Sequence, residues 1–488
     1  MTTDSSAPEP DRSTDVIVIG AGAVGENVAD RAHRGGLEVL VVERELVGGE
    51  CSYWACMPSK ALLRPGAALA AARRVAGAAQ AVTGGIDAAA VLERRTSFTS
   101  GWDDASQVEW VRSAGLELAR GDARLVGPRL VEVTAPDGGT TVWQARRAVV
   151  VATGSVPVLP GIDGLADAAP WGTREATSAR SVPGRLVVIG AGVAGTELAQ
   201  AWCRLGSTVT LLARGGVLAA YPEQAGSLVA DALRADGVDV RVGVSPTAVH
   251  RAGPGGPVTV TLDDGSSVEA DEVLVATGRR PATDGVGLDD PALGLDGPAT
   301  GEHGELLVDD SGRSPAATWL YGAGDVTARA MLTHQGKYDA RVVGDSIAAR
   351  ADGSLGDHAE PWSKHAATAD HSAVPQVVFT DPEVASVGMT EQAARDAGTD
   401  VRVVSIELAV AGSAVHADGY TGWAQMVVDE SRGVVVGVTF VGQDVSELLH
   451  AATIAVVGEV PVTRLWHAVP AYPTISEVWL RLLEAYGL

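Results

Sequence analysis

The segment Gly48–Lys60 reads GGECSYWACMPSK and concentrates the reactive side chains of this 488-residue chain. Its thiols, Cys51 and Cys56, are spaced C-x4-C, the wrong spacing for a metal knuckle, which would also need two further ligands. On a regular helix, residues five apart differ by about 7.5 Å of rise and about 140° of turn. Their Cα atoms would lie roughly 8–9 Å apart, too far for a disulfide. A bridge therefore needs a distorted or only partly helical start. Pro58 supplies a cause, because it cannot donate to the Trp54 carbonyl and its ring crowds that turn. A helix N-terminus would also lower the pKa of a nearby thiol and make a usable thiolate. Lys60, four residues after Cys56, shares its helical face and sits near whatever Cys56 contacts. The competing reading is two unpaired buried cysteines.

A repeated element stands ready to position this segment. Asp15–Gly25 reads DVIVIGAGAVG and Arg185–Gly195 reads RLVVIGAGVAG. Each is a short β-branched strand entering G-x-G-x-x-G and then a helical stretch, the context of a dinucleotide-binding turn. Gly20 and Gly190 make the tight turn, Gly22 and Gly192 admit a pyrophosphate to the backbone amides, and Gly25 and Gly195 let helix pack on strand. The helix N-terminus then faces the phosphates with its partial positive charge. The copies differ at the end of their second strands. The first ends in Glu43, whose carboxylate accepts both hydrogen bonds from an adenosine ribose and disfavours a 2′-phosphate. The second ends in Ala213 followed by Arg214: the acid is gone and a cation has arrived, as a 2′-phosphate requires. The first unit reads as an FAD site and the second as an NADPH site, with NADH the alternative if Arg214 is only a solvated surface arginine.

Two further stretches echo each other, VVVATG (Val149–Gly154) and VLVATG (Val273–Gly278), both buried strands ending in a glycine turn. Trp319–Asp325, WLYGAGD, is a third strand, ending at Gly324–Asp325. Taken alone, Asp325 is expected to cap the next helix before it is expected to bind a cofactor hydroxyl.

The composition bounds the rest. At about 150 residues per domain the length suggests roughly three domains. Hydrophobic residues at 46% and charged residues at 20% describe an ordinary globular protein. A net charge of −24 repels phosphate backbones, which argues against nucleic-acid binding. Three cysteines are too few for a secreted disulfide framework. Met1 to Thr14 is polar and acidic, without the basic and apolar regions of a leader. The longest apolar runs are strand-length, too short to cross a bilayer. The expectation is a cytoplasmic protein with no membrane partner.

GGECSYWACMPSK, both G-x-G-x-x-G units, both A-T-G turns and Gly324–Asp325 together resemble the class I pyridine nucleotide–disulfide oxidoreductases, a family that includes dihydrolipoyl dehydrogenase, glutathione reductase and mercuric reductase. Val374–Gln392, VPQVVFTDPEVASVGMTEQ, resembles the start of their dimerisation domain. The resemblance implies a homodimer with an active site shared between subunits, FAD, a nicotinamide nucleotide and a redox-active Cys51–Cys56 disulfide. By motif position Cys56 is the thiol beside the flavin and Cys51 the outer thiol that meets substrate. The resemblance places Lys60 near the flavin N5, paired with Glu197, where a cation stabilises reduced flavin. It assigns the FAD ribose to Glu43, the FAD ribitol to Asp325 beside Gly324, the adenine to Ala123 of G-D-A, and cofactor-binding turns to Gly154 and Gly278. It gives Cys203 no role beyond packing.

The chain departs from that family in two places. The family's C-terminal motif is His-Pro-Thr-x-x-Glu, its histidine serving as acid–base group for the partner's outer thiol. Here the stretch is Tyr472-Pro473-Thr474-Ile475-Ser476-Glu477. A tyrosine, with an ordinary pKa near 10, is a poor base at neutral pH but can donate a hydrogen bond or a proton. His467 is the nearby substitute, the alternative being a core or interface histidine. No cysteine follows Cys203, so the extra C-terminal pair of mercuric reductase is missing. Beside the thiols, Glu50 replaces the usual threonine, and Tyr53 and Trp54 are bulky; they either narrow the pocket to stack on a planar acceptor or simply pack.

The fold expected is α/β, with two Rossmann-like dinucleotide-binding domains, for FAD and NAD(P), and an α+β C-terminal dimerisation domain. Residues 1–160 and 284–364 would form the split FAD domain, 161–283 the NAD(P)H domain and 365–488 the interface domain. Breaks fall where Pro, Gly and Ala punctuate the chain, near Ser155–Pro183, Arg280–Gly285 and Pro361–Val374. The activity expected is NADPH-preferring, FAD-dependent transfer of electrons through Cys51–Cys56 to a small disulfide or quinone-like acceptor, with no metal. The alternatives are a flavoenzyme that oxidises a dithiol or a small specialised metabolite, and a dihydrolipoyl-dehydrogenase-like subunit of a larger complex.

Overall fold

The computed structural model describes residues 8–488, so the first seven residues of the polar N-terminal stretch lie outside the described residues. The chain divides into two compact units. The first comprises residues up to Met57, Thr99–Val158 and Arg279–Asp370; the second comprises Pro58–Phe98, Leu159–Gly278 and His371–Leu488.

The first unit is built on a seven-stranded sheet. Arg12–Ile19 lies at its centre, parallel to Val39–Glu43 on one side and to Thr140–Val151 on the other. Glu117–Arg120 extends the parallel side, Leu320–Gly322 also runs parallel to Thr140–Val151, and Leu130–Thr134 and Asp122–Gly127 continue antiparallel. Side chains alternate across a strand. Val16 and Val18 enter one core with Val28, Ala29 and Val41, while Ile17 and Ile19 enter the opposite core with Leu40 and Val42. A sheet covered on both faces explains why this strand reads as an unbroken apolar run.

The second unit repeats the design. A parallel sheet runs Asp239–Val242, Thr208–Ala213, Arg185–Ile189, Glu272–Val275. Leu186 and Val188 face one core, and Val187 and Ile189 the other. A three-stranded antiparallel sheet, Pro246–Arg251, Val258–Leu262 and Ser267–Ala270, lies in the same unit. The C-terminal part is a five-stranded antiparallel sheet from Pro375–Val378 to Val401–Glu407, with the helices Leu449–Val457 and Val478–Tyr486. Among the described residues no helix is long and apolar enough to cross a membrane.

Candidate active site

The two glycine turns are superimposable in chemistry. Gly20 and Gly190 both have φ of +104°, and a Cβ on either would lie 2.5 Å from a carbonyl oxygen, that of Ala152 or Ala276. A Cβ on Gly25 or Gly195 would meet the oxygen of Gly20 or Gly190 at 1.8 or 1.9 Å. The same backbone bonds recur, Ala152 N–H to Ile19 O and Ala276 N–H to Ile189 O, both 2.8 Å. The helices Ala23–Arg34 and Val193–Arg204 start from Gly22 and Gly192 without a side-chain cap. Their first-turn N–H groups are therefore open to an anionic ligand.

Glu43 accepts from Ala21 N–H at 2.7 Å through one oxygen and from Glu45 N–H at 2.8 Å through the other. Each oxygen keeps a second lone pair for a ribose. Gly121 N–H donates to the Glu43 carbonyl at 3.0 Å, which draws the Gly121-Asp122-Ala123 run alongside it. These are residues that fit an adenine dinucleotide. In the second unit Arg214 follows its strand exposed, with no ion pair among the described residues.

The cysteine segment is held against the first glycine turn. Gly48 N–H donates to Ala21 O at 2.7 Å, and a Cβ on Gly49 would come within 2.7 Å of the Gly22 Cα. A short helix, Gly49–Tyr53, carries Cys51 and stops at Trp54, where φ and ψ are −137° and −7°. The N–H groups of Trp54 and Ala55 both turn back to the Glu50 carbonyl, at 2.8 and 2.7 Å. A new helix, Cys56–Arg73, begins at the second cysteine. Pro58 thus sits in a first turn, where its missing N–H costs nothing. This is the interruption that its position in the sequence called for.

Both cysteines are half-buried thiols. The Cys56 sulfur lies 3.3 Å from the Thr333 hydroxyl oxygen. The Cys56 side chain and then burial push the Cys51 thiol well above its ordinary range; Thr333 and Lys337 pull the other way, but less. The lowering that a helix N-terminus would give a nearby thiol does not appear at Cys51. A neighbouring sulfur outweighs a terminus of five residues. Tyr53 is 3% exposed, with Trp102 Nε1 donating to its carbonyl at 3.1 Å, so its ring packs rather than lines a pocket. Trp54 is half-buried, its ring 5.7 Å from that of Tyr53.

Asp325 does not cap. The turn Gly324–Thr327 is entered from Ala323 with no side-chain cap bond, and Asp325 instead accepts from the Ser155 hydroxyl at 2.5 Å. Arg279 donates to the Ser155 hydroxyl at 2.8 Å and to its carbonyl at 2.6 Å, and lies 4.0 Å from Glu50. Sequence reasoning missed Ser155 and Arg279. The signal was present, since each directly follows the glycine of an A-T-G turn, Gly154 or Gly278. Thr333 and Lys337 were also missed, and nothing local to their helix marks them.

In the second unit Lys60 donates to Glu197 at 2.7 Å and lies 4.8 Å from the centre of the Phe379 ring. The other Glu197 oxygen accepts from Phe379 N–H at 2.9 Å. The Glu197 side chain is 3% exposed against 36% for Lys60. Removing one partner of a buried pair strands the other. Glu197→Ala is therefore expected to destabilise the protein by about 2–3 kcal/mol, low in the range for buried pairs because Lys60 is partly solvated. A shift in the urea midpoint checks it, and an unchanged midpoint would contradict it.

Tyr472 is 78% exposed, and His467 is also exposed. Glu477 is buried and accepts from Arg481 at 2.6 Å. The turn that follows Tyr472 is packed tightly, since a Cβ on Gly412 would lie 2.0 Å from the Thr474 carbonyl carbon. Among the described residues no cluster of three or more His, Cys, Asp or Glu could hold a metal ion.

A family profile described as pyridine nucleotide-disulphide oxidoreductase matches residues 14–340, and the dimerisation domain of that family matches residues 374–482. A dihydrolipoyl dehydrogenase of Thermus scotoductus is 33% identical over 487 residues, covering 97% of both chains. A mercuric reductase of Staphylococcus aureus is 29% identical over 471 residues, 96% of this chain and 81% of the relative. In fold, the chain matches the solved HOCl-induced flavoprotein disulfide reductase RclA from Escherichia coli, with a TM-score of 0.79 at 23% identity, over 96% of this chain and 99% of that one. The chain therefore belongs to the class I pyridine nucleotide–disulphide oxidoreductases, flavin-dependent enzymes that take FAD and a pyridine nucleotide and carry a dimerisation domain.

Proposed function

We propose that this protein is an NADPH-preferring FAD oxidoreductase in which Cys51 and Cys56 alternate between dithiol and disulfide and pass electrons to a small acceptor, a disulfide or a quinone-like compound. Two half-buried thiols on either side of a helix break, with the Cys56 sulfur 3.3 Å from the Thr333 hydroxyl, carry this reading. The chemistry that bound FAD would supply is hydride acceptance from a nicotinamide nucleotide and release of electrons to the thiol pair.

The chain's own residues do the rest. With a disulfide acceptor, the Cys51 sulfur attacks one acceptor sulfur and expels the other as a thiol. Cys56 then attacks Cys51, closes the internal disulfide and releases the second thiol. Two electrons and two protons leave the pair, and the acceptor gains both. Glu43, Ala123, Gly154, Gly324 and Asp325 would hold the flavin nucleotide, and Gly190, Gly192, Gly195, Arg214 and Gly278 the NADPH. Lys60, fixed by Glu197, would supply positive charge where the reduced cofactor carries negative charge. Tyr472, with Glu477 behind it, would present a hydroxyl donor to the partner subunit's thiol pair in a cytoplasmic homodimer. This division assigns residues 1–160 and 284–364 to FAD, 161–283 to NADPH and 365–488 to dimerisation.

Anaerobic titration of the holoprotein with NADPH tests the relay. Uptake of four electrons per flavin, with a long-wavelength thiolate–flavin band, is expected; uptake of two without the band would overturn it. Arg214→Ala tests the nucleotide preference. Losing a charge-assisted bond to the 2′-phosphate is expected to raise the KM for NADPH about tenfold while leaving that for NADH unchanged. An equal change in both would contradict the assignment.

A further inference from the structure

In the second unit the helix Val193–Arg204 presents Glu197, Gln200 and Arg204 along one face. All three hold one short loop, Phe379–Asp381, which joins the antiparallel strands Pro375–Val378 and Glu383–Gly388. Glu197 accepts from the Phe379 N–H at 2.9 Å while it binds Lys60. Gln200 clamps the backbone of Asp381, accepting from its N–H at 2.8 Å and donating to its carbonyl at 3.0 Å. Arg204 donates to the Asp381 carboxylate at 2.9 Å and to Asp236 at 2.8 Å. Gln200 and Asp381 are 1% and 6% exposed.

A second helix reaches the same loop at two points. Cys56–Arg73 carries Lys60 in its second turn, and Arg74, which follows its last residue, lies about four turns further on. Lys60 stands over the Phe379 ring, and Arg74 donates to both Asp381 oxygens, each at 2.8 Å. A bidentate guanidinium fixes direction as well as distance. The Asp381 carboxylate is thus gripped from both helices, two residues along the loop from the N–H that steadies Glu197. A shift of this loop moves the counter-ion of Lys60.

We propose that Asp381 is a positioning residue for Lys60: by pinning the Phe379–Asp381 loop it fixes Glu197, and through Glu197 the ammonium. The inference rests on the proposed role of Lys60 at the reduced flavin. It has a signature of definite sign. Deleting an anion would by charge alone favour the negatively charged reduced flavin and raise its potential. Letting Lys60 drift does the reverse, because the stabilisation a cation gives falls with distance. A purely structural role moves the potential in neither direction.

The test is the flavin midpoint potential of the holoprotein, measured against a reference dye, with the stopped-flow rate of flavin reduction by NADPH. Asp381→Asn is expected to move the potential negative, in the same direction as Lys60→Met but by less, and to slow flavin reduction about tenfold. Asp381→Glu, which keeps the charge, is expected to recover most of both. In the Lys60→Met background Asp381→Asn is expected to add no further negative shift, since both act through one ammonium. Arg74→Lys, which keeps the charge but breaks the bidentate bond, serves if Asp381→Asn does not fold, and the same negative shift is expected of it. An unchanged or more positive potential in Asp381→Asn overturns the proposal even where the variant is less stable, and so does a shift of equal size in the Lys60→Met background. The underlying reading fails separately: if Lys60→Met leaves the potential unchanged, Lys60 does not serve the flavin, and the role of Asp381 falls with it.

Discussion

Cys51→Ser is expected to lower NADPH-driven reduction of a disulfide acceptor by about a thousandfold or more, while the protein stays folded and flavin-loaded. A serine hydroxyl matches the thiol closely in size and can still hydrogen bond to Cys56, so the local fold is kept. It cannot form a sulfur–sulfur bond, so Cys56 has no partner to attack and no second electron pair is stored. The NADPH titration should fall from four electrons per flavin to two in this variant. A quinone assay run in parallel separates two kinds of chemistry. Loss of disulfide reduction with quinone reduction retained would show that quinones take electrons from the flavin without the thiols. Unchanged turnover with every acceptor would remove the relay altogether.

The paired substitutions Gly20→Ala and Gly190→Ala are expected to separate the two cofactors. Each places a Cβ at φ +104°, 2.5 Å from a backbone oxygen that cannot rotate away. Strain of this kind costs on the order of 1–3 kcal/mol, and here the turn must also open by the width of the clash. Gly20→Ala is expected to yield protein largely without flavin. Gly190→Ala should retain flavin but show a KM for the nicotinamide nucleotide raised about a hundredfold. The flavin-to-protein absorbance ratio and steady-state kinetics read the two outcomes. If Gly190→Ala lost flavin and Gly20→Ala did not, the cofactor assignment of the two turns would have to be exchanged.

Much of this could be read in the sequence because it is local. Two strands entering G-x-G-x-x-G fix their own turn geometry, and both appear with the same dihedral and the same clash. Pro58 announced a broken helix start, and the break falls between Tyr53 and Cys56. Glu43 and Lys60 could be placed by strand end and helix face, whereas Glu197 came only through the family resemblance. What escaped depends on residues far apart in the chain. Thr333 reaches Cys56 across 277 positions, and Ser155 reaches Asp325 across 170. Asp325 looked like a cap because cap residues are recognised by type and position, whereas its partner here is a hydroxyl from another strand. The upward push on the Cys51 thiol could not be read in the sequence, because a helix terminus is visible there while a buried neighbouring sulfur is visible only once the chain is folded.

The two-residue gap at Trp54–Ala55 has a mechanical consequence. A dithiol and a disulfide demand different separations of the same two sulfurs, and an unbroken helix would have to strain along its length to supply both. Here the sulfurs stand on separate rigid pieces, one ending at Tyr53 and one beginning at Cys56, joined by residues whose N–H groups share a single carbonyl acceptor. A small change at that joint can move one sulfur toward the other while the glycine turn and the long helix stay in place. For the proposed dithiol–disulfide cycle, that joint would confine the change of geometry to Trp54 and Ala55.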